Sequence, residues 1–336
     1  MIIQKNSSPF LSICCLTYNH APYIRKCLDG FLMQKTDFEF EILIHDDASK
    51  DGTEEIIREF EAKYPEIIKP IYELENQWVK GRRGSSKFNF PRVRGKYIAL
   101  CEGDDYWTDP LKLQKQVDFF EANEDYGLVH TDLDEHNTVK NTWIRGLWKH
   151  GNDNKVSGDI YDLLMFNYKM GIYLCTMCFR SQFVQNNLAY DDVVNQKFMY
   201  GDVPLYLHIA RSSKIGYIPE STTVRNVLSF SATQGQSFEY MLAFRRTALS
   251  IFEYFNNLKP VKTDLLKKFY SKQKQAELDI CFRYHKRDEF MTLYKTMNKD
   301  DKNFRTFIQR IGILNEYSHF ISRATLKVTF RLKFAQ

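Results

Sequence analysis

Two strand-like apolar runs in the first third of the chain each lead into a pair of adjacent aspartates. Residues 40–44 (FEILI) precede Asp46-Asp47, and residues 97–100 (YIAL) precede Gly103-Asp104-Asp105. Adjacent carboxylates pack poorly in a core, but they are suited to holding a hard divalent cation and, through it, a diphosphate. The two runs therefore predict one polar crevice at the carboxyl edge of an open α/β sheet, where such folds bind their ligands.

The segments around these runs alternate between strand and helix patterns, which predicts a mostly parallel sheet flanked by helices. The predicted strands lie at 11–18, 40–46, 68–74, 96–101, 126–133, 173–180 and 214–219. The predicted helices between them include Ile24–Leu32, about 54–64 and Asp109-Pro110 to about 122. From residue 238 the pattern changes to long helices, at 238–258 and about 263–297. We therefore expect a first domain at 1–236 and an α-helical C-terminal region at 237–336.

Composition narrows the class of protein. With 336 residues, 43% of them hydrophobic, the chain can bury one large core plus an appendage. The net charge of +5, without the aromatic pattern of a nucleic-acid module, gives no reason to expect nucleic acid as a partner. There is neither a signal-peptide pattern nor a long apolar window, so we expect a cytoplasmic protein. The seven cysteines are expected to be reduced and buried.

Each acidic pair has a ligand-binding and a structural interpretation. Asp104 and Asp105 could hold Mg²⁺ or Mn²⁺ together with a nucleotide diphosphate, or they could form a solvated turn. We favour the cation site. At Asp46 and Asp47, one carboxylate could accept hydrogen bonds from a base or ribose while the other shapes the following turn, and we expect both roles.

A family resemblance rests on several segments in a fixed order. They are Leu16-Thr17-Tyr18-Asn19 after the first strand, residues 46–53 (DDASKDGT), and residues 95–98 (GKYI) leading into Gly103-Asp104-Asp105. Over residues 9–230 the chain resembles the family 2 inverting glycosyltransferases of the GT-A fold, a type found in bacterial polysaccharide biosynthesis. The resemblance implies a Rossmann-like sheet in the first domain and a sugar nucleotide as donor.

The resemblance also implies roles for individual residues. Thr17 and Tyr18 would meet the nucleotide base, and Asp47, with Asp46 beside it, would hydrogen-bond the ring. Asp104 would contact ribose or sugar. Asp105 would ligate the Mg²⁺ or Mn²⁺ ion that bridges the diphosphate.

Two later residues complete the site that the resemblance implies. The family's catalytic base is an acidic residue well after the metal motif, and Asp202 in residues 199–204 (MYGDVP) fits it. The structural alternative for Asp202 is a helix N-cap, and we favour catalysis. Many relatives carry a late Tyr-Arg-x-His segment near the diphosphate. Residues 223–227 read TVRNV here, so Arg225 matches as a phosphate contact and the histidine is missing.

Other candidate residues have structural interpretations. Cys175 and Cys178 form a Cys-x-x-Cys without a second ligand pair, so we interpret them as core thiols. His45 is interpreted as structural. A polar loop at 76–95 is expected to be solvated, although its arginines could also reach phosphates: Arg82, Arg83, Arg92 and Arg94.

The C-terminal tail has a basic amphipathic pattern. Phe320, Ala324, Val328 and Leu332 recur every four positions among lysines and arginines. Such a helix could lie on an anionic membrane surface, or it could pack on the protein body with its basic face in solvent. The sequence does not separate these two interpretations.

The sequence as a whole predicts a metal-dependent inverting glycosyltransferase. It would move a sugar from a nucleotide-diphosphate sugar, expected to be UDP-linked, to an acceptor hydroxyl such as that of a lipid-linked glycan in capsule, O-antigen or exopolysaccharide assembly. The alternative is a non-catalytic GT-A-like protein that binds a sugar nucleotide or a partner transferase. A dinucleotide-dependent oxidoreductase is disfavoured because no Gly-x-Gly-x-x-Gly follows the first strand.

Overall fold

The computed structural model describes residues 8–81, 84–148, 157–166, 172–229 and 237–297. The chain divides into two compact units, one within residues 1–231 and the other within 232–336. The predicted tail helix at 301–336 lies outside the described residues, and so do Arg82 and Arg83.

The described residues of the first unit form one nine-stranded sheet. Its strands are β1 Leu11–Thr17, β2 Phe40–Asp46, β3 Ile68–Tyr72, β4 Tyr97–Leu100, β5 Tyr106–Trp107, β6 Tyr126–Asn137, β7 Thr142–Ile144, β8 Cys178–Arg180 and β9 Lys214–Val227. The strand order is β3-β2-β1-β4-β8-β6-β9-β5, with β7 paired to the far end of β6. Strands β3, β2, β1 and β4 are mutually parallel, and β6 is parallel to β9.

The predicted α/β sheet is confirmed, with a mixed second half. Strand β8 runs antiparallel to both β4 and β6, and β5 runs antiparallel to β9. The parallel part follows from the strand–helix alternation of the first hundred residues. The antiparallel part comes from short strands that carry no strong periodic pattern of their own.

Helices of the first unit connect these strands. They are α1 Ala21–Leu32, α2 Thr53–Lys63, α3 Ser85–Phe88, α4 Lys112–Ala122, α5 Tyr161–Phe166, α6 Leu188–Asn195 and α7 Asp202–Ala210. Helix α1 shows why these segments fold as they do: Ile24, Cys27, Leu28 and Phe31 recur at helical spacing and are all fully buried. They pack with alternate residues of β1, β2 and β4 in one core.

Several predicted boundaries are wrong: the strand predicted at 126–133 extends to Asn137, and three others differ because of turn geometry or strand pairing. Helix α4 begins at Lys112 because Asp109 forms a turn before it: its carboxylate accepts from the Leu111 N–H at 2.8 Å. Of the strand predicted at 173–180, only the last three residues pair, after a 3₁₀ turn at Leu174–Thr176. The strand predicted at 214–219 continues to Val227 because the long strand β6 pairs with it throughout.

The second unit is helical. It contains α8 Phe238–Leu258, α9 Thr263–Arg283 and α10 Arg287–Lys295 around a core that includes Leu278 and Phe290. The single helical pattern predicted at about 263–297 is broken at His285, which adopts a left-handed conformation with φ 55°. The Lys286 N–H then donates to the Cys281 carbonyl, the closure typical of a Schellman motif. Among the described helices, none has both the length and the apolarity that crossing a membrane requires.

Candidate active site

The carboxyl ends of three parallel strands bring the predicted residues to one edge of the sheet. Thr17, the last residue of β1, is in register with Asp46, the last residue of β2. Beyond β4, the Gly103 N–H donates to the Leu16 carbonyl at 2.9 Å. A side chain at position 103 would collide with Thr17, since a Cβ there would lie 2.8 Å from Thr17 Oγ1. Glycine at this position therefore lets the acidic turn approach β1 closely.

Of the two residues predicted to meet a base, one is open to solvent. Tyr18 is 45% exposed, whereas Thr17 is buried against Gly103. The Tyr18–Asn19 loop is held by the second strand's turn, because the Asn19 N–H donates to Ser49 Oγ at 2.8 Å. An aromatic ring is thus presented at the edge of the sheet on a fixed backbone.

Asp46 shapes the turn that follows β2. Its side chain is fully buried, and its two carboxylate oxygens accept from the Ser49 hydroxyl at 2.5 Å and the Ser49 N–H at 3.1 Å. Burial raises the pKa of Asp46, and the bonds from Ser49 work against that rise. A direct ligand contact by Asp46 stays a prediction; its position here is that of a loop-building residue.

Asp47 anchors the loop that follows β3. One carboxylate oxygen accepts from the Gln77 N–H at 2.6 Å and the other from the Trp78 N–H at 3.2 Å. Each oxygen keeps a further lone pair that could accept from a nucleotide base. The structure thus gives Asp47 a structural contact that the sequence did not indicate.

Asp104 and Asp105 are held differently. Asp105 is 7% exposed, and its Oδ1 accepts from the Asn226 N–H at 2.8 Å. Within the described residues, the buried Oδ1 of Asp104 has no hydrogen-bond partner. Burial and then the neighbouring Asp104 raise the pKa of Asp105 to about 8, although the Asn226 N–H, the Cys175 thiol and Arg225 act to lower it. Two carboxylates that repel each other in this way favour a bound cation.

Arg225 reaches the acidic turn from strand β9. Strand β5 pairs antiparallel with β9, with Tyr106 opposite Val224, so the residues just before Tyr106 lie beside Arg225 and Asn226. Arg225 donates to Glu135 Oε2 at 2.8 Å and its guanidinium lies 4.8 Å from the Tyr173 ring centroid. Burial acts to lower the pKa of Arg225. The neighbouring Tyr173, Asp105 and Glu135 outweigh this effect, so the pKa is raised. Arg225 is therefore a fixed cation beside the predicted diphosphate position.

Asp202 is the first residue of α7, and its N-cap is Gly201. Burial raises the pKa of Asp202, while backbone N–H groups of Val203 and Asp202 and the charge of Arg225 lower it. Because Arg225 acts electrostatically on both Asp105 and Asp202, these three charges belong to one cluster. The N-cap is Gly201 rather than Asp202, but the Asp202 carboxylate accepts from the first-turn N–H of Val203, so its catalytic role stays a prediction.

The donor set fits a hard divalent cation completed by a ligand's oxygens. Within the described residues, no group of three or more His, Cys, Asp and Glu side chains is arranged to hold a metal by itself. Asp105 and the unpartnered oxygen of Asp104 offer two carboxylates. Magnesium characteristically binds through one or two carboxylates plus substrate phosphates, so the residues present are compatible with such an ion.

Several other predicted candidates have structural contacts. Arg94 forms an ion pair with the buried Glu41 at 2.5 Å, and Arg92 donates to the Lys69 carbonyl. Neither of these arginine contacts involves a residue of the acidic turns. His45 stacks on Phe88 with ring centroids 3.7 Å apart, in agreement with a structural role. All seven cysteines lie in the described part of the chain as buried free thiols, and burial raises the pKa of both Cys175 and Cys178.

The sequence pattern assigns no role to Asn226. Besides its N–H bond to Asp105, its side-chain Nδ2 donates to the Asp104 carbonyl at 2.6 Å. Its place next to Arg225 was the only available signal, because the partners are far apart in sequence.

Comparison with known proteins shows the family of the chain. Residues 12–185 match the family model described as "Glycosyl transferase family 2", which is more than half of the chain, so the chain belongs to that family. It is 48% identical over 113 residues to the uncharacterized protein Rv1520 of Mycobacterium tuberculosis, covering 34% of this chain and 32% of that protein. The chain therefore spans about a third of the length of such curated relatives.

A second relative and a solved structure extend the comparison. The chain is 32% identical over 114 residues, 34% of this chain and 42% of the relative, to the UDP-Glc:alpha-D-GlcNAc-diphosphoundecaprenol beta-1,3-glucosyltransferase WfaP of Escherichia coli. The crystal structure of S. aureus TarS 1–349 in complex with UDP is similar with a TM-score of 0.52 at 14% identity, covering 90% of this chain and 79% of that one. This likeness shows a shared fold.

Proposed function

We propose that this protein is a metal-dependent inverting glycosyltransferase that uses a nucleotide-diphosphate sugar. The proposal rests on the β5–β9 pairing, which puts Asp104 and Asp105 beside Arg225, and on the electrostatic action of Arg225 on Asp202. WfaP has a UDP-linked donor in its name and TarS was solved with UDP, which supports a UDP sugar as the donor class here. We further propose that the Tyr18 ring lies against the nucleotide base and that Asp47 accepts a hydrogen bond from it.

The side chains divide the reaction between them. Asp202 takes the proton from the acceptor hydroxyl as the acceptor oxygen bonds to the anomeric carbon. The bond from that carbon to the diphosphate oxygen breaks with its electron pair, and one in-line displacement inverts the centre. The raised pKa of Asp202 suits a base, since it holds the transferred proton more firmly than an ordinary carboxylate. Arg225 lies where it can neutralise part of the departing charge.

Asp105, with Asp104 beside it, would hold the Mg²⁺ or Mn²⁺ ion. When bound, such an ion stabilises the negative charge that develops on the leaving diphosphate. The predicted division into a donor-binding domain at 1–236 and a helical region at 237–336 belongs to this proposal, as does a polysaccharide pathway acting on a lipid-linked acceptor. So does a cytoplasmic location with peripheral membrane contact through the basic tail.

The test is sugar transfer by the full chain. UDP-glucose, UDP-galactose and UDP-N-acetylglucosamine would each be incubated with Mn²⁺ and a prenyl-diphosphate-linked GlcNAc acceptor, and the product followed by mass spectrometry and NMR of the anomeric proton. We expect one donor to give an inverted product with wild type and almost none with Asp202→Asn. A matched control is Asp191→Asn, in the first turn of α6, which should act as wild type. A retained anomeric configuration would contradict the mechanism, and UDP binding without any transfer would favour a non-catalytic sugar-nucleotide binder.

A further inference from the structure

A row of side chains crosses the sheet next to the acidic turn. His136 of β6 is in register with Trp143 of β7 on one side and with Asn226 of β9 on the other. The His136 and Trp143 rings stack with centroids 4.1 Å apart. His136 Nδ1 lies 3.3 Å from Asn226 Oδ1, and Asn226 then contacts both residues of the acidic turn.

Asn226 makes one contact with each acidic residue. Its backbone N–H donates to Asp105 Oδ1 at 2.8 Å, and its side-chain Nδ2 donates to the Asp104 carbonyl oxygen at 2.6 Å. The first contact fixes the rotamer of Asp105. The second holds the peptide between the two aspartates, next to the unpartnered Asp104 carboxylate oxygen.

The orientation of the Asn226 amide determines the tautomer of His136. A carbonyl oxygen can only accept, so the NH₂ group of Asn226 faces Asp104 and its Oδ1 faces His136. His136 must then carry a hydrogen on Nδ1 to donate to that oxygen. In this tautomer Nε2 of His136 accepts, so the Asn141 amide 3.1 Å away must present its NH₂ group to it, and the stacked indole restricts the ring plane.

We propose that Asn226 is a positioning residue that prearranges the Asp104–Asp105 turn for a divalent cation, and that His136 holds the Asn226 amide in the orientation this requires. The inference rests on the proposed function, since it gives Asn226 a purpose only if the turn binds a cation. Groups that orient metal ligands without touching the metal commonly change metal affinity by about 10–100-fold when removed. A purely structural Asn226 would instead stabilise the fold and leave cation affinity unchanged.

The experiment measures Mn²⁺ binding by the full chain, first without nucleotide and then with saturating UDP. Mn²⁺ quenches nearby tryptophan fluorescence, and Trp107 lies two residues beyond Asp105. Wild type would be titrated beside Asp105→Ala, Asn226→Ala, Asn226→Leu, His136→Ala and His136→Gln, each checked by circular dichroism and melting in EDTA. Thr138→Val is a matched control, because it removes a side-chain bond between the same two strands, from Thr138 Oγ1 to the Val227 carbonyl, one residue beyond Asn226.

We expect both Asn226 variants to bind Mn²⁺ about 10–100-fold more weakly than wild type, and Thr138→Val to match wild type. His136→Ala should weaken binding by a smaller factor, and His136→Gln, which keeps a donor, should restore much of it. In transfer assays the Asn226 variants should need more Mn²⁺ and approach wild-type kcat when saturated. If one Asn226 variant does not fold, the other and the His136 pair still decide the question.

Two results would overturn the inference, and they are distinguishable. If the Asn226 variants bind Mn²⁺ within a factor of two of wild type while Asp105→Ala loses binding, the positioning role is wrong and the proposed function stands. If wild type and Asp105→Ala are quenched alike both without nucleotide and with saturating UDP, there is no cation site at this turn, and the inference and the metal-dependent mechanism both fail.

Discussion

The turns after β2 and β4 both contain a pair of adjacent aspartates. They differ in which groups donate hydrogen bonds to the carboxylate oxygens. In the turn after β2, Ser49 bonds both oxygens of Asp46, and the Gln77 and Trp78 amides bond those of Asp47. In the turn after β4, Asp105 accepts from the Asn226 N–H and the Cys175 thiol, and Asp104 keeps a buried oxygen that no described residue partners. The first turn is therefore satisfied by the protein, and we propose that a ligand completes the second.

The difference shows that an acidic pair at a strand end does not define a site by itself. A buried carboxylate is stable when its oxygens accept enough hydrogen bonds, and it then serves as a fixed part of the backbone framework. Burial raises the pKa of both Asp46 and Asp105. At Asp105 the charge of the adjacent Asp104 is the next largest cause and adds to the rise, whereas at Asp46 the bonds from Ser49 come next and oppose it. Two carboxylates that repel each other favour a cation. The supply of donors from elsewhere in the chain decides which of these a given aspartate becomes.

The largest effect is expected at Asp202, the proposed base. Asp202→Asn keeps the shape of the side chain and removes that base, so transfer should fall by about 10²–10⁴-fold. Donor binding measured by calorimetry should stay close to wild type, because in the proposal Asp202 meets the acceptor. A variant that loses donor affinity and turnover together would instead place Asp202 in the donor site.

The next prediction compares the folding roles of the two turns. Asp46→Ala removes a buried carboxylate and leaves the Ser49 N–H and hydroxyl without this acceptor, so the free energy of unfolding should fall by about 1–3 kcal/mol. Urea denaturation in EDTA measures it. Asp105→Asn, in the second turn, should not reduce stability under the same conditions. Equal destabilisation by the two changes would remove the distinction between the turns.

A third prediction concerns pH in the absence of metal. The folded-state pKa of Asp105, about 8, lies above the value of about 3.9 expected for an unfolded aspartate. The folded protein therefore holds this proton more tightly, and the stability it contributes is complete below about pH 4 and is lost as the pH rises toward 8. Asp105→Asn lacks this loss. The difference in Tm between Asp105→Asn and wild type should therefore be about 2–4 °C larger at pH 8.5 than at pH 5.5.

The control for the pH prediction is Mn²⁺ itself. Added Mn²⁺ should raise the wild-type Tm at pH 8.5 and leave that of Asp105→Asn unchanged, because binding to the folded state alone stabilises it. Parallel Tm curves for the two proteins between pH 5.5 and 8.5 in EDTA would show that ionisation of Asp105 does not destabilise the folded protein.

The smallest effect is expected at Ser49. Its hydroxyl donates to Asp46 and accepts from the Asn19 N–H, so it links the first turn to the Tyr18 loop. Ser49→Ala should cost about 0.5–1.5 kcal/mol of stability and lower UDP affinity slightly through a less ordered Tyr18. Differential scanning calorimetry and UDP titration measure the two parts, and Ser49→Thr, which keeps the hydroxyl, is the rescue variant.

Much of the framework follows from local sequence, and the distinction between the turns does not. Apolar periodicity and helix signals predict β1, β2, β4 and their helices, and the family resemblance leads to Asp105 and Asp202. The donors to Asp47 come from 30 and 31 positions away, and the donor to Asp105 from 121 positions away. Such partners are set by strand order, in particular by the antiparallel β5–β9 pairing, which no local pattern encodes.

Wrong helix and strand boundaries have the same origin. The break at His285 needs a left-handed residue, and neither glycine nor proline marks it. The extension of β9 to Val227 depends on β6 as a partner, and it is this extension that carries Arg225 and Asn226 to the acidic turn. The part of the site missed in the sequence is therefore the part that tertiary pairing builds.

The most direct test of the central claim is calorimetric titration of UDP and GDP, with Mn²⁺ and with EDTA, into wild type and Asp105→Ala. The account predicts that one nucleotide, expected to be UDP, binds wild type with Mn²⁺, and that EDTA or the substitution abolishes this binding. Binding that is equal with and without Mn²⁺, or equal in the two proteins, would contradict the assignment of the second turn as a cation and diphosphate site.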